Sequence, residues 1–216
     1  MIPMRLVVVL VEVLGSINLG LIARLTKNFQ VEELRLVKPQ LDDDDWELAK
    51  IFSGKGKEAL EEAKAKTYKS LEDALTDVDL AIATSAKGFF KGPRVLRRAI
   101  TLSTLEKSLR RRSPSSLAVV LGREDYGLSS QDIGRCDLLL TLETSREHRS
   151  LNIAAAAAII LHRLYLIRRH GERIEVAERN IRLRAVEQFR RLASACITHP
   201  VRARTATKAF SNLLAR

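Results

Sequence analysis

The sequence has few cysteines and no long apolar segment, and each shortage excludes a class of protein. Only two of its 216 residues are cysteines, Cys136 and Cys196, which is too few for a disulfide framework or a zinc site. We expect both to be reduced thiols in the core. The longest apolar run, residues 153–161, falls short of the roughly 18 residues that a membrane-spanning helix needs. The apolar residues 6–14 contain Glu12 and no small-residue cleavage signal, which favours a strand over a signal peptide and predicts a cytoplasmic protein.

Acidic charge is scarce in the second part of the chain. Lys and Arg outnumber Asp and Glu by 37 to 26, a net charge of +11 that favours nucleic acid or an anionic membrane as partner. Residues 1–92 are net −2, whereas residues 93–216 are net +13 and contain 22 Arg against two Lys. Because Arg binds phosphate through a planar fork and stacks on bases, this excess favours nucleic acid. An Arg-rich genome is the alternative explanation.

The pattern of apolar residues predicts an α/β fold with a parallel sheet. A β-branched strand at residues 6–13 precedes a helix in which Leu21, Leu25 and Phe29 recur at spacing four, and a short strand follows at 34–37. Such a βαβ unit requires a parallel sheet covered by helices. Further strands are predicted at 80–84, 117–122 and 138–142, and further helices at 57–66, 71–78, 94–112, 151–168, 178–197 and 202–214. Ser150 is the predicted N-cap of the helix at 151–168.

Three polar loops follow predicted buried strands, at residues 15–24, 122–129 and 143–152. Ligands of open α/β sheets bind at this edge. The first loop lacks both Gly-x-Gly-x-x-Gly and Gly-Lys-Ser/Thr, which disfavours the usual NAD and ATP sites. The acidic residues 42–45 are expected to cap a helix that starts near Trp46, since adjacent side chains diverge too much to share a metal ion.

Three motifs in these loops resemble one known family. They are Asn18-x-Gly20-x-x-x-Arg24, then LGREDYGL at 121–128, then SLNIA at 150–154 at the start of an Ala-rich helix. Their order and positions are similar to the motifs of SPOUT-class RNA 2′-O-ribose methyltransferases of the SpoU/TrmH-like branch, and most similar to the TrmJ group of tRNA methyltransferases. The resemblance covers residues 6 to about 168.

The resemblance implies a fold, a reaction and partners. It implies a SPOUT-type parallel sheet with a deep trefoil knot, a catalytic domain at 1–167 and a helical, tRNA-binding extension at 168–216. The implied reaction is 2′-O-methylation of tRNA with S-adenosylmethionine as methyl donor, at cytidine or uridine 32 of the anticodon loop. The implied enzyme is a homodimer that requires no metal. Methylation of rRNA and a non-catalytic RNA-binding module of the same fold remain as alternatives.

The same resemblance assigns site residues. The implied catalytic residues are Arg24, Glu124, Ser150, Asn152 and Asn18. The implied donor-binding residues are Thr84, Ser85, Ala86, Leu121, Gly122, Arg123, Glu124, Gly127, Leu142, Ser150 and Leu151. In the family the first-motif arginine activates the ribose hydroxyl. Arginine is a poor base at its normal pKa, so Arg24 is expected mainly to hold phosphate and to polarise the hydroxyl near the start of its helix.

Each of these residues also has a simpler structural explanation. Arg24 could be a surface arginine, Glu124 could stabilise a turn, and Ser150 could cap a helix. His148 and His162 receive no role from the resemblance. The predicted RNA-binding residues are Arg24, Arg94, Arg97, Arg98, Arg179, Arg182, Arg190 and Arg191. A solvated charged face is the alternative for the arginines of residues 168–216.

Overall fold

The computed structural model describes residues 4–86, 99–111, 114–145, 147–170 and 179–214. Its described part contains a seven-stranded sheet in the order β3-β2-β1-β6-β4-β7-β5, and every pairing is parallel. The strands are β1 (Arg5–Val11), β2 (Glu33–Val37), β3 (Thr67–Tyr68), β4 (Leu80–Thr84), β5 (Ile100–Thr101), β6 (Ser116–Leu121) and β7 (Leu138–Thr141). Because all strands are parallel, the loops that follow them meet at one edge, which we call the carboxyl edge. The loops that precede them meet at the opposite, amino edge. The predicted parallel α/β sheet is confirmed.

Helices cover both faces of the sheet, as the continuous apolar strands require. They are α1 (Ser16–Asn28), α2 (Asp43–Ser53), α3 (Lys57–Ala65), α4 (Leu71–Ala74), α5 (Leu102–Arg111), α6 (Ser130–Arg135), α7 (Ile153–His170), α8 (Arg179–Cys196) and α9 (Pro200–Leu214). Apolar residues of α1, α2, α3, α5 and α7 pack on one face, whereas those of α4 and α6 pack on the other. Nowhere in the described residues is a helix both long enough and apolar enough to cross a membrane.

Two glycines allow the first layer of helices to pack closely. A Cβ on Gly20 would lie 2.4 Å from the carbonyl oxygen of Ala49 in α2, and one on Gly56 would lie 2.1 Å from that of Ala23. Gly20 of the first motif therefore serves helix packing. The acidic stretch also behaves as predicted, because Asp42 and Asp45 form a capping box at the start of α2.

The structure corrects four local predictions. The helix predicted from Arg94 begins at Leu102, after strand β5; residues 87–98 lie outside the described part. Helix α7 is capped by Asn152, whose Oδ1 accepts hydrogen bonds from the backbone N–H of Ala154 at 2.8 Å and of Ala155 at 3.3 Å, so the predicted Ser150 cap is wrong. Helix α9 begins at Pro200, a position that proline favours. Cys136 is buried as predicted, but Cys196 is exposed.

Helices α8 and α9 form an antiparallel pair at the C-terminus. Phe189 and Phe210 stack with ring centroids 4.3 Å apart, and Ala193 and Ala203 are buried. The pair approaches the sheet where Arg182 lies 3.6 Å from the Asp137 carboxylate, and both side chains are largely buried.

Candidate active site

The Glu124 carboxylate, in the loop after β6, connects this loop to the start of α1. It accepts hydrogen bonds from the backbone N–H groups of Leu14 at 3.1 Å and Gly15 at 3.0 Å, and from Asn18 Nδ2 at 3.3 Å. Backbone N–H groups at a helix start are natural partners of an anion. Gly15 and Asn18 therefore hold the carboxylate at the carboxyl edge while its exposed side faces solvent.

Asn18 continues this network into the third motif. Its Oδ1 accepts a hydrogen bond of 2.9 Å from Asn152 Nδ2, and Asn152 Oδ1 in turn caps α7. These hydrogen bonds thus connect the three motifs, because Asn18 is 106 residues from Glu124 and 134 residues from Asn152 in the sequence. Ser150 lies two residues before Asn152 and is exposed. The three-motif cluster predicted from the sequence is therefore present for these three side chains.

Arg24 lies apart from this cluster. Asn18 is in the first turn of α1, and Arg24 is six residues further on, or about 9 Å along the helix axis. The Arg24 side chain is exposed and passes Gly54, where a Cβ would lie 4.0 Å from its Cδ and Nε. Within the described part of the chain Arg24 has no ion pair with a carboxylate. The prediction that Arg24 lies near the start of its helix is wrong, and its guanidinium is open to an external anion.

The loop at 122–127 folds back on itself. A Cβ on Gly122 would lie 2.3 Å from the Gly127 carbonyl carbon, so only glycine fits there, and Gly127 has a positive φ of 72°. Arg123 forms a bidentate ion pair with Asp125, at 3.0 and 2.8 Å. The hydrogen bonds between them lower the pKa of the Asp125 carboxyl and raise the pKa of the Arg123 guanidinium. Arg123 thereby stiffens the loop that presents Glu124.

The predicted donor-binding loops are neighbours in space. They follow β6, β4 and β7, which are adjacent in the sheet. Thr84 Oγ1 donates to the Val120 carbonyl at 3.0 Å, and the Ser85 N–H donates to the Leu140 carbonyl at 3.0 Å, so these contacts tie the loops together. Ala86 is exposed, Leu121 is buried, Leu142 is half-buried and Leu151 is exposed. The predicted donor-binding residues that follow these three strands therefore share the carboxyl edge, where Ala86 is open to solvent.

The predicted RNA-binding arginines differ in their surroundings. Arg182 is buried against Asp137, which removes it from the exposed patch that was predicted. Arg190 and Arg191 are exposed and share the carboxylate of Glu187, whose pKa their hydrogen bonds lower to about 2. Arg94, Arg97 and Arg98, and the side chain of Arg179, lie outside the described part.

Sequence reasoning missed one prominent residue. Tyr126, in the middle of the second motif, is 81% exposed and has the Arg123 guanidinium 5.2 Å from its ring centroid. An aromatic residue two positions after a site carboxylate was the available signal. His162 lies against the ring of Phe29, with centroids 5.7 Å apart, and His148 is exposed. Across the described ranges no three potential metal-ligand side chains of His, Cys, Asp or Glu cluster together.

Comparison with known proteins identifies the family. Residues 5–162 match the SpoU rRNA Methylase family. The chain is 38% identical over 162 residues to the tRNA (cytidine-2′-O-)-methyltransferase TrmJ of Sulfolobus acidocaldarius, and these residues are 75% of this chain and 66% of that protein. It is 36% identical over 162 residues to the TrmJ of Methanocaldococcus jannaschii, covering 73% of this chain and 66% of that protein. The chain thus spans just under two thirds of these relatives.

The fold has solved counterparts as well. The crystal structure of TrmJ from Z. mobilis ZM4 superimposes with a TM-score of 0.70 at 20% identity, over 98% of this chain and 90% of that one. Such a match extends the similarity in fold beyond the residues that carry the motifs. With its three motif loops joined by Glu124, Asn18 and Asn152, the chain belongs to the SpoU rRNA Methylase family.

Proposed function

We propose that this protein is an S-adenosylmethionine-dependent RNA methyltransferase that methylates the 2′-hydroxyl of a tRNA ribose, at cytidine or uridine 32 of the anticodon loop. The observation that carries the proposal is the hydrogen-bonded chain Glu124–Asn18–Asn152, which brings the three motifs together at the carboxyl edge. A protein that only bound RNA through its basic surface would have no need of this polar network.

The chemistry needs alignment more than strong catalytic groups. When bound, S-adenosylmethionine would supply the methyl group from a sulfonium centre that leaves as a neutral thioether. The ribose 2′-oxygen would bond to the methyl carbon as the carbon–sulfur bond breaks, and its proton would pass to solvent water. Arg24 would hold the phosphate beside the ribose and polarise the hydroxyl, and Ser150 and the Glu124 network would orient the sugar. Residues 84–86, Leu121, Gly122, Gly127, Leu142 and Leu151 would hold the donor, and the proposed reaction needs no metal.

The choice of tRNA over rRNA rests on the relatives. Both archaeal relatives are named as tRNA methyltransferases, although the family description refers to rRNA. The second motif, LGREDYGL at 121–128, also resembles that of the TrmJ group. We therefore favour tRNA, in the cytoplasm, and treat rRNA as the outcome that would contradict the assignment.

A homodimer would complete the site. Ile17 on α1 is 45% exposed, Leu151 before α7 is 37% exposed and Ile159 on α7 is 45% exposed. Helices α1 and α7 pack together, so these apolar side chains flank the Glu124 network and would be covered by a second copy. A deep trefoil knot formed by the second and third motif loops is part of the same proposal.

Residues 168–216 would form the tRNA-binding extension of a catalytic domain at 1–167. The segment has twelve basic and four acidic residues, and the exposed cations on α8 and α9 include Arg202 and Arg204. We place the boundary slightly later, after His170, because Arg168 is buried and donates to the Gln30 carbonyl at 2.6 Å and to the Glu32 carboxylate. All of helix α7 would then belong to the catalytic domain.

Mass-spectrometric mapping of 2′-O-methyl groups made on total tRNA and on rRNA tests this function. The purified protein should methylate tRNA at nucleotide 32 only when S-adenosylmethionine is present. Arg24→Ala is the matched control, and it should lower the methylation rate about 1000-fold with tRNA binding largely retained. Methylation confined to rRNA would show that rRNA is the substrate instead of tRNA. An unchanged methylation rate of Arg24→Ala would refute the proposed active site.

A further inference from the structure

A polar cavity lies at the carboxyl edge, next to the second-motif loop and distinct from the Glu124 network. It has a volume of about 540 Å³, within the range of small-ligand sites. Residues that follow β1 and β2, the second-motif loop and the start of α6 line it. Glu124 reaches α1, whereas Arg123 and Tyr126 of the same loop line this cavity. The donor loops follow β6, β4 and β7, whereas the cavity lies at the ends of β2, β1 and β6, so the loop after β6 is the part that they share.

Tyr126 forms the aromatic wall of this cavity. Its ring is 81% exposed, and the Arg123 guanidinium lies 5.2 Å from the ring centroid. Arg123 is fixed by its bidentate pair with Asp125 and lies 3.7 Å from Glu12, while the Tyr126 N–H donates to Asp125 at 2.8 Å. A tyrosine with a guanidinium against it, held by a rigid loop, resembles the stacking surfaces that bind unpaired bases.

The charge of the lining favours an uncharged ligand surface. Among the lining residues, the carboxylates of Glu12, Glu72 and Asp132 balance the cations of Lys38, Arg123 and Arg135. A phosphate would meet three carboxylates there, whereas a nucleobase edge would meet both donors and acceptors. The side chain of Gln131 is exposed and has no hydrogen bond to another described residue, so its amide is free to bond a base edge.

The backbone around the cavity is also unusual. Glu12 and Lys38 have positive φ values of 53° and 46°, and Gly127 has 72°. Non-glycine residues rarely adopt this conformation, and where they do they cluster at functional sites. Glu12 and Lys38 directly follow β1 and β2, and both line the cavity.

We propose that Tyr126 and Arg123 form a subsite for an unstacked base of the RNA substrate, next to the nucleotide whose ribose is presented to Glu124. Tyr126 is two residues from Glu124, at most about 7 Å along the chain. The base stacks on the exposed face of Tyr126, and Gln131 bonds its edge. The identity of the ligand as the RNA substrate rests on the proposed function. The binding experiment that tests the subsite does not require methylation.

Binding of unfractionated tRNA, measured without turnover, tests the subsite. Tyr126→Ala should weaken tRNA binding between about fivefold and a hundredfold, because stacking on an aromatic side chain is lost. Tyr126→Phe retains the ring and should stay within about twofold of the wild type. The slope of log K against log salt should not change in Tyr126→Ala, since no phosphate contact is removed. The affinity for S-adenosylmethionine should also be unchanged.

Tyr165→Ala is the matched control, because Tyr165 also has an arginine, Arg169, 5.7 Å from its ring but lies on α7. Its tRNA affinity should equal that of the wild type. Unchanged binding by Tyr126→Ala would overturn the subsite, as would a loss of donor affinity with tRNA affinity intact, which would make Tyr126 a wall of the donor site. If Tyr126→Phe bound tRNA as weakly as Tyr126→Ala, stacking on the ring would be ruled out as the cause. Failure of the methylation function would appear separately, as wild-type protein that binds tRNA without methylating it.

Discussion

Arginines and carboxylates occur at both edges of the sheet, but they are arranged differently at each. At the amino edge they pair with each other. Arg35 is 4% exposed and bonds Glu33 and Asp77, and Arg5 bonds the same two carboxylates. At the carboxyl edge the Glu124 carboxylate is bonded by uncharged N–H groups, while Arg123 of the same loop pairs with Asp125. Arg24, about 9 Å from Asn18 along the axis of α1, has no carboxylate partner among the described residues.

This difference shows why the number of arginines does not locate an RNA site. An arginine that is already paired and buried must break its ion pair before it can hold a phosphate. Arg35 and Arg182 are of this kind, so neither is available to an external phosphate. The cations that remain available are those such as Arg24 and Arg204, exposed and without an ion pair in the described structure. Within the described residues, an arginine is therefore available to an external phosphate where the fold leaves it exposed and without a carboxylate partner.

After that of Arg24→Ala, the largest expected effect is that of Glu124→Gln at the carboxyl edge. The amide would turn an NH₂ group towards the N–H donors of Leu14 and Gly15, so the loop would shift and the methylation rate should fall about 100-fold. Single-turnover methylation of tRNA measures it. Asp77→Asn is the comparison at the amino edge, where the rate should not change. A Glu124→Gln rate within twofold of wild type would remove the distinction between the edges.

Removal of residues 171–216 tests the role of the C-terminal helices. Cutting after His170 preserves the Arg168–Glu32 ion pair. The tRNA affinity should fall at least about tenfold, with a shallower dependence on salt, and donor binding should persist. Filter binding at several salt concentrations measures both quantities. Glu187→Gln is the control, because it releases Arg190 and Arg191 and should keep or raise the affinity. Equal affinity after the truncation would contradict the proposed extension.

Asp77→Asn tests whether the ion pairs at the amino edge stabilise the fold. Arg35 is buried and loses a charged partner, so the free energy of unfolding should fall by about 1–3 kcal/mol, near the lower value because Asp77 is half exposed. Hydrogen bonding from Arg35 holds the pKa of the Asp77 carboxyl well below its ordinary value of 3.8. Its stabilisation is therefore present above about pH 4 and is lost as the pH falls further.

Urea unfolding between pH 7 and pH 3 measures this contribution. The wild type should lose stability below about pH 4, and Asp77→Asn should lose less over the same range. Glu47→Gln is a suitable control, because Glu47 is an exposed carboxylate paired with Lys50 on the surface and should matter little. Parallel pH profiles for the wild type and Asp77→Asn would show that the Arg35 pair does not stabilise the fold.

The smallest expected effect separates Asn152 from Ser150. Asn152→Ala removes the cap of α7 and should lower the free energy of unfolding by about 1 kcal/mol, whereas Ser150→Ala should change it by less than about 0.5 kcal/mol. Both variants should methylate more slowly. Thermal or urea unfolding, run beside methylation assays, distinguishes a capping role from a role at the substrate. A stability loss in Ser150→Ala equal to that in Asn152→Ala would restore Ser150 as a capping residue.

The sequence predicted the elements whose signals are local. The β-branched strand at the N-terminus became β1, and the Asp42 cap formed because capping needs only neighbours in the chain. The boundaries of α5 and α7 were less accurate, because Leu102 and Ile153 begin helices at positions where tertiary contacts with β7 and Asn18 decide the start. Tyr126 was quoted within a motif, but its exposure depends on how the loop folds over Gly122.

By itself the sequence determined the parallel α/β class, the presence of three motif loops and the Arg excess of the second part, because apolar periodicity, residue type and charge are properties of the chain. Only the tertiary structure decided which polar groups meet. Glu124 and Asn18 are 106 residues apart, and Arg182 meets Asp137 only once α8 packs beside the sheet. A charge is a property of one residue, but its availability to RNA depends on what the fold places within reach of it.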